Sequence, residues 1–283
     1  MIKKVGIIGC GQMGSGIAQV AAHADYRVIG NEVSEELFQK GLHRITRLLD
    51  RAIEKGKLDS PTREKILGNI TGSTDFADLA DCDLVIEAAT EDMTTKKEIF
   101  AELDKICKPE VIFASNTSSL SIGDLASVTG RRDKFVGLHF FNPVPVMRLV
   151  EIVRTIDSSD ETVAAAREFA ESLGKTVVMA KDSPGFIVNV LLIPYLLDSI
   201  RQYERGLATR DDIDNAMKLG CGHPMGPLTL ADFIGLDTTL FIADIMFDQF
   251  RDSHYAAPPL LRRMVNAGYL GKKSGRGFYD YNK

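Results

Sequence analysis

Apolar residues along the first two-thirds of the chain fall into two alternating patterns. Short unbroken runs read as strands buried on both faces, and stretches with apolar residues every three to four positions read as helices. Val5-Gly6-Ile7-Ile8 is the first strand, followed by a helix through Ile17, Ala18, Val20 and Ala21 toward Ala24. A second strand spans Tyr26 to Ile29 and ends near Asn31 and Glu32, and a helix then runs from Glu35 to about Ile53, where Gly56 and Lys57 stop it. Asp83 to Ala89 predicts another buried strand, then a helix over Thr95 to Ile106 and a strand over Val111 to Ala114. Phe135 to Phe140 and Leu149 to Val153 predict two more strands, before a helix over Asp160 to Leu173 and a strand over Thr176 to Met179.

The pattern changes at Ser183-Pro184-Gly185, after which strand signals nearly vanish. Phe186 to Tyr203 is apolar and helical, with Pro194 predicting a kink or break. Thr209-Arg210-Asp211-Asp212 has the form of a capping box and opens a helix to Leu219. Asp237 to Phe250 and Pro259 to Val265 complete the helical set. Alternating strands and helices call for a mostly parallel sheet covered by helices, hence an α/β first domain over residues 1–184. Residues 185–283 form a mainly helical second domain.

Composition narrows the function classes. A length of 283 residues suits two domains, and 45% hydrophobic residues permit a substantial core. With 34 basic and 39 acidic side chains, the net charge of -5 gives no general attraction to nucleic acid or to an anionic membrane surface. No apolar run reaches the ~20 residues that span a bilayer. Cys10, Cys82, Cys107 and Cys221 are scattered without a CxxC pair, which argues against a disulfide framework, a zinc site or any other metal centre. Reduced thiols and a first strand that begins at once, without a signal region, predict a cytoplasmic protein.

The turn Gly9-Cys10-Gly11-Gln12-Met13-Gly14 lies between the first strand and the first helix, the context a dinucleotide-binding turn requires. Gly9 permits the tight turn, Gly11 admits close approach of a pyrophosphate, and Gly14 permits close helix-strand packing. Backbone N–H groups at the helix start then face the phosphates. The alternative is a structural glycine turn, but the context favours a Rossmann-type domain. Glu32, 23 residues after Gly9, sits where a carboxylate accepts hydrogen bonds from the adenosine ribose and repels the extra phosphate of NADP. NAD is therefore the expected cofactor, although Glu32 also reads as a solvated loop residue. A flavin protein and a nucleotide-binding module without catalysis share this first-half pattern.

Position alone leaves the remaining polar candidates open. His139, followed by Phe140-Phe141, reads as a histidine satisfied at the edge of a core or as a base. Glu151 reads as solvated, Ser118 as a loop cap or a ligand, and Asn189 as a polar helix residue or a ligand.

Five blocks of sequence change this picture. Ala114-Ser115-Asn116-Thr117-Ser118-Ser119-Leu120, Gly137-Leu138-His139-Phe140-Phe141-Asn142-Pro143, Pro184-Gly185-Phe186-Ile187-Val188-Asn189, His223-Pro224-Met225-Gly226-Pro227 and Lys273-Ser274-Gly275-Arg276-Gly277-Phe278-Tyr279 occur in this order over nearly the whole chain. Together they resemble the L-3-hydroxyacyl-CoA dehydrogenase family, especially its stand-alone bacterial 3-hydroxybutyryl-CoA dehydrogenases. The resemblance implies a reversible, NAD-dependent oxidation of short-chain (S)-3-hydroxyacyl-CoA, with acetoacetyl-CoA reduction as the direction in cells.

The resemblance also implies roles. The catalytic histidine falls on His139 and its partner carboxylate on Glu151; the substrate-contacting serine falls on Ser118. The two asparagines near the reaction centre fall on Asn142 and Asn189. Cofactor contacts are implied for Gly9, Gly11, Gln12, Met13, Gly14, Glu32, Glu91, Lys96, Asn116, Ser118 and Asn142. Substrate contacts are implied for Ser118, His139 and Asn189, and Lys57 matches a basic residue that helps hold coenzyme A. A homodimer, formed through the helical domain, is the implied assembly. The His223–Pro227 turn and the terminal glycine-rich run read as helix terminators that shape that domain.

The chain departs from the family pattern at three places. Cys10 stands where a smaller alanine is expected and predicts sensitivity to oxidation. Val190 stands where many relatives have arginine. Gly30-Asn31 replaces an apolar strand end before Glu32. A dehydrogenase for a small free 3-hydroxy acid and a non-catalytic NAD-binding structural or sensor protein are the competing functions. The first generally places a lysine at the chemistry, and the second is expected to lack the histidine-carboxylate pair that this chain carries.

Overall fold

A computed structural model describes residues 2–282, which fold as two compact units that meet in sequence between Ser183 and Pro184. The first unit is built on one eight-stranded sheet: β1 (Lys4–Ile8), β2 (Arg27–Asn31), β3 (Ile70–Ser73), β4 (Leu84–Glu87), β5 (Ile112–Ser115), β6 (Phe135–Phe140), β7 (Leu149–Arg154) and β8 (Thr176–Lys181). The spatial order is β3-β2-β1-β4-β5-β6-β7-β8, and every neighbouring pair is parallel except β6 with β7. The chain passes from β1 to β2 on one side and returns to β4 on the other. That reversal is a switch point in the strand order, and α/β sheets bind ligands at the carboxyl ends of the strands beside such a point.

Helices α1 (Gln12–His23), α2 (Glu35–Glu54), α3 (Ser60–Gly68), α4 (Met93–Ile106), α5 (Ile122–Ala126) and α6 (Asp160–Ser172) belong to this unit. α1 is small and apolar, and Ile17, Ala18 and Ala21 join Val5, Ile7, Ile86 and Ala114 in the core. α2 is amphipathic, with Phe38, Gly41, Ile45 and Leu49 as its buried stripe and Ser34 as its N-cap.

Among the α-helices and strands, the structure adds four that the apolar pattern did not predict: α3, β3, α5 and α9 (Pro227–Ile234). α3 buries Ile66 alone, so it has no periodic apolar face to read. β3 is a short edge strand with only Ser73 buried, and α5 is five residues long.

In the second unit α7 (Val188–Glu204), α8 (Arg210–Cys221), α9, α10 (Leu236–Phe250) and α11 (Pro259–Asn266) surround a core of Ile193, Leu196, Leu197, Ile200, Leu228, Leu236, Met246 and Leu261. Pro194 neither ends nor divides α7, which is helical from Val188 to Glu204. A proline removes one N–H, and the packing of the surrounding aliphatic residues offsets that loss. Thr209 caps α8 by accepting from the Asp212 N–H at 3.2 Å.

The terminal glycine-rich run does more than stop a helix. Asp232 is fully buried and accepts from the N–H groups of Phe278 and Tyr279 and from the Tyr281 hydroxyl. A Cβ on Gly277 would lie 1.9 Å from Asp232 Oδ1, so only glycine lets the chain wrap this carboxylate. Burial pushes the Asp232 carboxyl above its usual range. Asp214 plays a matching part at the start of α9, accepting from the N–H groups of Leu228 and Thr229.

Candidate functional site

The glycine turn follows β1 and opens α1. Gly9 has φ +83, and a Cβ there would lie 2.6 Å from Ala89 Cα, after β4. A Cβ on Gly14 would lie 1.7 Å from the Gly9 carbonyl oxygen, so the helix packs on the turn only with glycine there. Gly11 is different: a Cβ there meets nothing within 4 Å. Two glycines are required by the fold itself, whereas Gly11 borders open space in front of the helix N-terminus. No side chain caps α1 at Gly11, so its first N–H groups offer themselves to an anion. Gln12 begins the helix, and Met13 packs against the core.

Glu32 lies one residue beyond β2. Its Oε1 accepts from the Cys10 N–H at 2.6 Å and its Oε2 from the Val33 N–H at 3.3 Å. The carboxylate is only partly buried. It therefore braces the glycine turn while keeping part of its surface exposed. These features fit a dinucleotide: a glycine cradle, a helix N-terminus and an acidic residue at the end of β2.

β6 and β7 run antiparallel with His139 directly opposite Glu151, so both side chains leave the same face of the sheet. His139 Nδ1 and Glu151 Oε2 are 2.6 Å apart. Glu151 is fully buried and His139 almost so, which corrects the reading of Glu151 as solvated. Alternation along an isolated strand cannot reveal that a neighbour and covering elements bury both faces. A buried carboxylate is tolerated when paired, and His139 is its partner. Phe141 lies against the imidazole, with ring centroids 4.4 Å apart.

Asn116 ties this centre to the neighbouring strand. Its Oδ1 accepts from the Phe140 N–H at 2.9 Å. Asn142, in the exposed loop after β6, accepts from Gln12 Nε2 at 3.0 Å and so links that loop to the glycine turn. Ser118 sits in the loop after β5, where Glu91 Oε1 accepts from its N–H at 2.9 Å and from its hydroxyl at 3.3 Å. Glu91 also accepts from the Thr117 hydroxyl.

Behind this loop lies a buried network that sequence reasoning missed. The Lys96 ammonium is 2.6 Å from both carboxylate oxygens of Glu87 and 3.5 Å from Glu91 Oε2. Glu87 Oε2 also accepts from the Ser115 hydroxyl, and its Oε1 from the Ala89 N–H. Lys96 is only 1% exposed, so it serves here as a counter-ion between two carboxylates rather than as an exposed cation. The one sequence signal for Glu87 was an acidic residue at the end of an otherwise apolar strand.

Lys57 and Asn189 are carried by other elements. Lys57 is exposed in the turn that ends α2, beside Gly56 with φ +65. Asn189 belongs to the second unit, in the first turn of α7, where its N–H donates to the Gly185 carbonyl. Val190 packs against the core of that unit.

Cys10 overturns the expectation of oxidation sensitivity. The thiol is buried, and desolvation aided by the nearby Glu32 charge pushes its pKa up to about 12. Oxidation proceeds from accessible thiolate, which this environment suppresses. Among the described residues no helix is long and apolar enough to cross a membrane, and no cluster of His, Cys, Asp and Glu suits a metal ion.

Comparison with known proteins agrees with this architecture. Residues 4–183 match the family described as 3-hydroxyacyl-CoA dehydrogenase, NAD binding domain. Residues 185–281 match the 3-hydroxyacyl-CoA dehydrogenase C-terminal domain. The chain is 52% identical over 282 residues to a 3-hydroxybutyryl-CoA dehydrogenase of Mycobacterium tuberculosis, covering 99% of each. It is 46% identical to the mitochondrial hydroxyacyl-coenzyme A dehydrogenase of Homo sapiens, covering 99% of this chain and 92% of that one. The crystal structure of the (S)-3-hydroxybutyryl-CoA dehydrogenase of Ralstonia eutropha superposes with a TM-score of 0.96 at 48% identity, over 100% of both chains. With both halves matched in order, the chain belongs to the 3-hydroxyacyl-CoA dehydrogenase family, and NAD is its cofactor.

Proposed function

We propose that this protein interconverts short-chain (S)-3-hydroxyacyl-CoA and 3-oxoacyl-CoA thioesters with NAD, and that acetoacetyl-CoA reduction is its direction in cells. The observation that carries the reading is the buried His139–Glu151 pair, in a sheet whose switch point also carries a dinucleotide cradle.

Gly9, Gly11, Gln12, Met13 and Gly14 would hold the pyrophosphate and Glu32 the adenosine ribose, with Glu91, Lys96, Asn116, Ser118 and Asn142 toward the nicotinamide end. A bound nicotinamide supplies the hydride acceptor in one direction and the hydride donor in the other. The protein's part is the proton. Glu151 on Nδ1 orients the imidazole, sets its tautomer and stabilises its protonated form. His139 Nε2 then takes the 3-hydroxyl proton during oxidation and returns it during reduction. Ser118, steadied by Glu91, orients the reacting oxygen by a hydrogen bond, and a substrate contact is assigned to Asn189 on the family resemblance. Glu87 and Lys96 keep Glu91 in place.

Lys57 is assigned to the coenzyme A phosphates, and the second domain to substrate binding and to a homodimer interface. Exposed Leu191, Leu219, Phe233 and Phe241 are consistent with that interface.

The test compares 3-hydroxybutyryl-CoA with free 3-hydroxybutyrate, and thioesters of four to sixteen carbons with one another. The thioester is expected to be the far better substrate, because coenzyme A contributes remote binding energy, with efficiency falling as the chain lengthens. Comparable kcat/KM for the free acid removes the thioester assignment, and a maximum at long chains removes the short-chain one.

A further inference from the structure

Lys175 has no part in the mechanism above, yet its side chain is among the least expected in the first unit. It follows Gly174, a glycine with φ +72, and immediately precedes β8. The residue is only 9% exposed. Its ammonium donates to the carbonyl oxygens of Val144 at 2.5 Å and Met147 at 2.8 Å. Both acceptors are neutral, and burial lowers the pKa of the amine. A cation held against neutral carbonyls is costly to bury, and its two hydrogen bonds are the compensation.

Both carbonyls belong to the loop between β6 and β7, the strands that carry His139 and Glu151. The loop also leans on α1 at two points. Gln12 Nε2 donates to Asn142 Oδ1, and buried Val144 packs so closely on Gly16 that a Cβ there would lie 2.8 Å from Val144 Cβ. Within the loop, the N–H groups of Val146 and Met147 share the Pro143 carbonyl. The loop is thus gripped between the dinucleotide-binding helix and the Lys175 ammonium.

We propose that Lys175 is a positioning residue for the reaction: it clamps the β6–β7 loop, and so fixes Asn142 and the His139 strand end relative to the glycine turn. This rests on the dehydrogenase reading above. Hydride transfer is sensitive to placement, and a shift on the order of 1 Å costs roughly 100-fold in rate. Both hydrogen bonds of the Lys175 ammonium go to the loop rather than to the glycine turn, so its loss is felt in kcat more than in cofactor affinity.

The experiment uses Lys175→Met, Lys175→Gln and Lys175→Arg in the full chain. NADH affinity is measured by fluorescence titration, turnover with acetoacetyl-CoA, and backbone amide exchange over residues 141–149. Lys175→Met is expected to lower kcat at least about tenfold, to leave NADH affinity within roughly threefold, and to speed exchange selectively in the loop. Lys175→Arg keeps charged donors and should recover part of the turnover and protection, with Lys175→Gln between the two. Near-normal kcat in Lys175→Met, or unchanged loop exchange, overturns the proposal. So does a series in which every loss follows a falling Tm, including failure of the neutral variants to fold, because Lys175 then serves stability alone. Wild-type protein inactive with acetoacetyl-CoA and NADH would instead sink the dehydrogenase reading, while the exchange measurements would still report on the clamp.

Discussion

Cys10 and Gly30 occupy one shared space: a Cβ added to Gly30 would lie 2.8 Å from Cys10 Sγ. The glycine turn and the end of β2 are therefore coupled through one small volume. The larger residue in the turn is accommodated by the smallest one in the strand. Phe38 closes the same site, 2.9 Å from that Cβ, and also fills the space beside Gly72.

This relationship predicts compensation. Gly30→Ala alone should destabilise the first unit by ~1–3 kcal/mol, the usual cost of overpacking. Cys10→Ala alone should cost less, since it removes one atom. The double variant should be more stable than the two losses added, by about 1 kcal/mol, because the alanine at position 10 vacates space for the new methyl. Chemical denaturation of all four proteins measures the coupling. Strict additivity would mean that Phe38, not Cys10, sets the limit at this site.

For His139 and Glu151, facing one another at 2.6 Å, the expectation is strong non-additivity in kcat. His139→Ala should slow turnover by ~10²–10⁴-fold, the typical contribution of a general base. Glu151→Gln should slow it too, since it removes the charge that stabilises protonated His139. Combining them should cost little beyond the histidine loss, because Glu151 acts through the imidazole. NADH binding and Tm, followed in each variant, separate catalytic loss from misfolding. Additive effects in folded proteins would argue against the dyad, and near-normal turnover of His139→Ala would move the chemistry elsewhere.

At the other end of the cofactor site, the bonds from Cys10 and Val33 to Glu32 separate two roles for one carboxylate. Glu32→Gln keeps an acceptor for the Cys10 N–H and removes the charge. It should narrow the preference for NADH over NADPH by about tenfold, ~1.4 kcal/mol. Glu32→Ala loses the brace as well, and should weaken binding of both cofactors. Equal use of NADPH by the wild type would refute charge-based discrimination.

Sequence alone carried the parts of this protein that depend on near neighbours. Buried strands such as β4 announce themselves because both faces are covered, and α2 because its apolar stripe repeats each turn. Gly9 and Gly14 were readable because their requirement is a local turn between a strand and a helix. Elements with little buried surface left no periodic trace, which is why α3 and β3 had to be seen. The tertiary structure decided whatever depends on residues distant in sequence. Glu151 became buried only when β6 and β7 paired in the register that faces it with His139. Glu87 and Lys96 became counter-ions only when α4 packed beside β4, and Lys175 became a clamp only when the β6–β7 loop came within its reach. Cys10 and Gly30 read as two unrelated departures until β1 and β2 lay side by side. Whether a charge is paired, or a volume filled, is a property of atoms close in space, and only the fold determines which atoms those are.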